Sequence, residues 1–126
     1  MNPNKNKIQN ESKEWMETEG ELTVDVYSTG KEIVIQSAVA GVKPEDINVS
    51  AENDMIIIKG KRNDPSEDKE KNYFFRECYW GKFSKKIIVP DEIDSSRIDA
   101  VIKSGVLTVR VPLIIKEKKT VQVKKV

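Results

Sequence analysis

From Leu22 onward, apolar and polar residues alternate with a period of two, in short runs broken by turn chemistry. Such alternation marks strands with one face buried and one wet. Leu22, Val24 and Val26 alternate with Thr23, Asp25 and Tyr27, and Ser28-Thr29-Gly30 then supplies a turn. Residues 31–40 read as a second strand, with Ile33, Ile35, Ser37 and Val39 on one face, so the two segments form a hairpin. Gly41 closes it, and Pro44-Glu45-Asp46 makes a bend because proline pre-sets φ. Ile47 and Val49 alternate in a short strand. Residues 55–61, MIIIKGK, form a continuous apolar run, the pattern of a strand covered on both faces.

Residues 61–72, KRNDPSEDKEKN, are polar and close to charge-balanced, and are long for a hairpin link. Aromatic residues follow at once: Tyr73, Phe74, Phe75, Tyr79 and Trp80 are five of the eight in the chain. Phe83 and residues 85–89 read as another strand, Asp94-Ser95-Ser96 as a capped turn, and Ile98, Ala100 and Ile102 as a further alternating strand. Ser104-Gly105 is a tight turn leading to the return strand, residues 106–111, which Pro112 ends. Roughly eight strands with almost no helix predict an all-β, antiparallel sandwich. Three segments emerge: an N-terminal arm (1–20), a β-sandwich domain (21–112) and a C-terminal extension (113–126). The arm is polar and reads as flexible, with Ile8, Trp15 and Met16 its large apolar groups.

Composition narrows the chemistry. The 126 residues suit one domain with one thin core. A net charge of +1, from 22 basic and 21 acidic residues, generates no field to gather nucleic acid. The Lys-rich tail reads as a solvated extension. No secretory pattern opens the chain, and no run approaches the roughly 20 apolar residues that span a bilayer. Neither nucleic acid nor membrane is therefore an expected partner. Cys78 is the one cysteine, which excludes an internal disulfide and fits a cytoplasmic location; it reads as a small, buried or half-buried hydrophobe. The chain has no histidine, so Ser-His-Asp and Cys-His catalysis and His-ligated zinc are excluded. No Gly-rich phosphate loop occurs. The expectation is a protein that is not an enzyme, with no cofactor and no metal, and the aromatic cluster reads as core plus dimer contacts rather than a sugar-binding pocket.

Four ordered motifs then carry a resemblance. Ser104-Gly105-Val106-Leu107-Thr108-Val109-Arg110-Val111-Pro112 closely resembles the A/N-G-V-L-T-V-x-V-P hairpin of small heat-shock proteins. Ala40-Gly41-Val42-Lys43-Pro44-Glu45-Asp46-Ile47, Arg76-Glu77 with Gly81 and Phe83, and Ile87-Ile88-Val89-Pro90 are similar to further segments of that family, in its order. The resemblance spans residues 20–126. It implies an immunoglobulin-like sandwich, the α-crystallin domain, in an ATP-independent holdase chaperone that binds unfolding proteins and prevents their aggregation.

It also implies a homodimer formed by strand exchange, as in bacterial, archaeal and plant members, and a higher homo-oligomer. The exchanged strand would carry Tyr73, Phe74, Phe75 and Arg76. Val121-Gln122-Val123 occupies the place of the family's I-x-I/V tail motif, which docks between two strands of a neighbouring dimer. Ile47, Val49, Ile87 and Val89 are the expected groove residues. Leu113-Ile114-Ile115 is a second apolar island that competes for the docking role. Ile8, Trp15 and Met16 are expected to contact clients. The alternative is a module like the CS domains of co-chaperones, which recruits a partner without holding clients; those domains lack the long loop and the tail motif.

Overall fold

The structure, a computed structural model, describes residues 19–89, 92–114 and 120–126. It is an antiparallel β-sandwich of two four-stranded sheets. The strands are β1 (Gly20–Glu21), β2 (Asp25–Ser28), β3 (Glu32–Ala38), β4 (Ile47–Glu52), β5 (Met55–Arg62), β6 (Gly81–Ile88), β7 (Asp99–Lys103) and β8 (Val106–Pro112). One sheet has the order β1-β6-β5-β4 and the other β2-β3-β8-β7. Every pairing is antiparallel except the short β1–β6 contact, which is parallel.

The first strand of the sequence pattern is divided. Gly20 and Glu21 pair with β6 in one sheet, and Asp25 to Ser28 pair with β3 in the other. Leu22 and Val24 make the crossing, Leu22 buried and Val24 packed on the core, while Val26 lies exposed. Period two survives the crossing, but the partner changes midway. Ser37 explains why the crossing holds its place. It occupies an inward, buried position on β3, and its hydroxyl donates to the Thr23 carbonyl at 2.7 Å. A buried hydroxyl without that acceptor would be costly.

The two inner faces meet through Ile33, Ile35, Leu107, Val109 and Val111 from one sheet and Ile56, Ile58, Phe83 and Ile87 from the other. On β5 only one face is covered: Ile56 and Ile58 are fully buried, Ile57 is half-buried and Lys59 is exposed. The continuous apolar run is thus a one-sided strand, because no layer packs on its outer face within the described residues. Gly60 lies opposite Phe83 across β5 and β6. The ring fills the space a side chain would take, since a Cβ there would sit 2.5 Å from Phe83 Cζ.

The turns follow their residues. Ser104 and Gly105 both have positive φ, 51° and 77°, the geometry of a two-residue hairpin turn. Pro44–Asp46 is a single 3-10 turn with proline at its start. Ser95–Arg97 is another, and the Asp94 carboxylate accepts the Ser96 backbone N–H at 3.1 Å. The sandwich continues past Pro112: Leu113 packs on the core, bridges Ile93, and donates its backbone N–H to Lys31 O at 2.9 Å. Leu113 is committed to its own domain and is not free to dock elsewhere.

Candidate assembly surfaces

Residues 63–80, between β5 and β6, form no strand, although the two strands they join pair along their whole length. The root of this loop is tied at both ends. Arg62 Nε donates to Ala40 O at 3.0 Å. At the far end the Tyr79 hydroxyl accepts the Gly20 N–H at 3.0 Å and donates to the Lys82 carbonyl. Its ring occupies the space beside Gly20, where an added Cβ would lie 2.8 Å from Tyr79 Cζ. Inside the loop, Ser66 N–H donates to Asp64 Oδ1 at 2.9 Å, and Lys71 Nζ reaches Asp64 Oδ2 at 3.2 Å. The Ser66 backbone N–H, with Lys71 behind it, holds the Asp64 carboxyl below the usual carboxylate range. The same hydrogen bond to Asp64 raises the Lys71 ammonium. Arg76 lies 4.9 Å from the Tyr73 ring centroid, close enough for a cation–π contact.

These contacts organise the loop's polar half and leave its aromatic half uncovered. Phe74 is 95% exposed and Phe75 is 84% exposed, with Tyr73, Tyr79 and Trp80 less so. None of the five belongs to the core cluster, so the sequence expectation of a partly core role is corrected. Cys78 is likewise exposed rather than buried. The reason is topological. Strands β5 and β6 pair with each other along their whole length, and every residue of the loop, 63–80, is exposed.

The edge strand β2 pairs on one side only, with β3. All four of its residues are exposed, including Val26 and Tyr27. Its free edge presents unpaired backbone groups, which a further strand would satisfy.

A third feature lies where the sheets part, between β4 and β7. A recess of about 210 Å³ is lined by Pro44, Ile47, Val49, Ala100, Ile102 and Leu107. All six are apolar. Ile47 and Val49 are half-buried and line it. Ile87 and Val89 do not line it: both are buried in the core cluster, Ile87 on the inner face of β6 and Val89 just past its end. The opposite wall comes from Ala100, Ile102 and Leu107 on β7 and β8. Sequence reading missed that wall because which strands face each other across the seam is a property of sheet order. The alternation of Ile98, Ala100 and Ile102 was its one available signal.

Val121 and Val123 are exposed, Val123 at 92%, and no strand includes them. Ile8, Trp15 and Met16 lie outside the described residues, as does Ile115. Among the described residues no three His, Cys, Asp or Glu side chains converge as a metal site, and no helix is long and apolar enough to cross a membrane.

A model of the Hsp20/alpha crystallin family matches residues 25–126. This chain belongs to the Hsp20/alpha crystallin family. It is 32% identical over 88 residues to small heat shock protein C2 of Rickettsia felis, a match covering 70% of this chain and 57% of that protein. It is 33% identical over 104 residues to a 17.8 kDa class I heat shock protein of Arabidopsis thaliana, covering 82% of this chain and 66% of that one. The chain thus spans little more than half to two thirds of the length of these small heat-shock relatives. Among solved structures, heat shock protein 16.0 of Schizosaccharomyces pombe superimposes with a TM-score of 0.69 at 30% identity, over 84% of this chain and 100% of that one. The α-crystallin domain of this small heat-shock protein therefore has the family's sandwich, and the loop, edge and recess are features of that domain.

Proposed function

We propose that this protein is an ATP-independent holdase that assembles as a strand-exchanged homodimer and, through its tails, as a larger homo-oligomer. One observation carries the reading: the domain completes its core and both sheets while leaving Phe74 and Phe75 almost wholly exposed on a loop with no strand of its own. Exposed aromatic clusters on an otherwise satisfied fold mark an interaction site. The edge of β2 is the matching acceptor. Of the four edge strands, β1 has two residues, and β4 and β7 flank the apolar recess, so β2 is the one with room for an added strand. Residues 73–76 of one protomer would pair there with the partner, exchanging wet edges for backbone hydrogen bonds.

The recess between β4 and β7 is the docking slot for Val121 and Val123 of a neighbouring dimer. Residues two apart in an extended chain face the same way, so both valines enter one groove. Burying a valine contributes about 1.5–3 kcal/mol. A single tail is therefore weak, and assembly rests on several tails acting at high effective concentration. Release of tails under stress frees the recess and the arm residues Ile8, Trp15 and Met16 for the apolar surface of unfolding clients. Clients are held, not refolded, since the chain carries no nucleotide-binding loop.

The test heats an aggregation-prone client with and without the protein, in the absence of nucleotide, and follows turbidity. Suppression near equal mass is expected. A monomer by light scattering with no suppression would overturn the proposal in favour of a CS-type recruitment module.

A further inference from the structure

The outer face of the β1-β6-β5-β4 sheet is unexpectedly basic. Alternation away from the buried Ile56, Ile58, Phe83 and Ile87 turns Lys59, Lys61, Lys82 and Lys86 outward, and all four are exposed. Lys61 and Lys82 stand directly opposite each other in the β5–β6 register. Like charges in directly opposed positions repel. None of the four makes an ion pair; the three pairs among the described residues are Lys71–Asp64, Lys85–Glu21 and Arg110–Glu32. The chain's net charge is only +1, so it has acids to set against these cations, among them Glu45 and Asp46 beside this face.

A run of four further acids lies in the N-terminal arm. Residues 11–19, ESKEWMETE, carry Glu11, Glu14, Glu17 and Glu19 against the single Lys13. The arm enters the domain at this sheet, since Gly20 pairs with Phe83 and Glu21 with Ser84. Carried back by one residue, that register sets Glu19 beside Lys82. Glu19 already lines a recess of about 380 Å³ together with Lys59, Lys61 and Lys82, and with Glu45 and Asp46.

We propose that residues 11–19 of the arm lie back across this lysine face of their own chain, with the glutamates set against Lys82, Lys61 and Lys59. The reach is sufficient, because eight extended residues span about 26 Å whereas four strands are about 14 Å across. Connectivity favours the chain's own arm over the partner's loop. The loop's acids are diluted by Lys69 and Lys71, and Asp64 is already paired with Lys71. This docking is a matter of arm placement and is independent of holdase activity.

Zero-length carbodiimide coupling of the full chain, prepared as a mixture of isotopically light and heavy protein, tests it. Cross-links from Glu11, Glu14, Glu17 or Glu19 to Lys59, Lys61 or Lys82 are expected, light to light and heavy to heavy, and are expected to fall to background in high salt. A variant with Glu14→Lys, Glu17→Lys and Glu19→Lys should lose them. Adding Lys59→Glu, Lys61→Glu and Lys82→Glu should restore the same pairs with their charges exchanged, and the circular dichroism of each variant checks that the sandwich persists. Mixed-isotope pairs, arm cross-links to other lysines such as Lys31 or Lys103, or cross-links of the face to Glu67 and Asp68 of the loop would each overturn the proposal.

Discussion

Gly60 and Ser37 are the two residues whose identities make sense only in their surroundings. A glycine inside a strand ordinarily weakens it, yet here the Phe83 ring lies over it, with the Asp46 carbonyl 3.0 Å from where a Cβ would stand. Gly60→Ala forces the ring and that backbone to shift. We expect a loss of about 1–3 kcal/mol, read as a lower denaturant midpoint at fixed protein concentration. Ser37→Ala removes the partner of Thr23 O at the crossing between sheets. Thr23 is exposed, so its carbonyl can turn to water and the loss is that of one net hydrogen bond, about 0.5–1.5 kcal/mol; faster amide exchange at residues 22–26 is the local sign to look for. In the sequence Ser37 already stood on the inward face, but its acceptor lies fourteen positions away and could not be named.

At the scale of elements, local chemistry was legible wherever it was self-contained. The Ser104-Gly105 turn, the Pro44–Asp46 turn and the Asp94 cap need only their own neighbours. Division of the first strand between two sheets, and removal of Ile87 and Val89 from the groove, depend on strand order, which alternation does not encode. The tail motif belongs to this scale too. Val121→Asp with Val123→Asp should reduce the assembly to dimers without changing the melting of the sandwich, as measured by light scattering beside circular dichroism. Large particles persisting in that variant would remove the tail from the assembly scheme. For the loop, Phe74→Asp with Phe75→Asp is expected to shift the dimer toward monomer, because neither ring contributes to the core cluster; sedimentation velocity at low concentration checks it.

For the whole molecule, the absence of histidine makes a prediction about pH. No side chain of that type changes charge near neutrality, so assembly size should stay constant between about pH 6 and 8. Acid acts later. Glu21 is held below its ordinary value by the hydrogen bond and charge of Lys85, Asp64 by the Ser66 N–H, and Asp94 by Ser96. A carboxyl lowered in the folded state stabilises it above the ordinary carboxylate range, and that contribution fades as pH falls through the lowered value. Loosening should therefore begin below about pH 4, with a small amplitude because these groups are exposed; light scattering across a pH series measures it.

What the amino-acid order determined alone is most of the strands with their period-two alternation, the turns, and the surplus of aromatic residues on a polar loop. These depend on period two and on neighbours a few positions apart. Tertiary structure alone decided which strands share a sheet, hence that Ile47 and Val49 face Ala100 and Ile102, that Leu113 belongs to the core, and that four lysines gather on one outer face. Those outcomes join residues far apart in the chain, and the pairing of strands sets them.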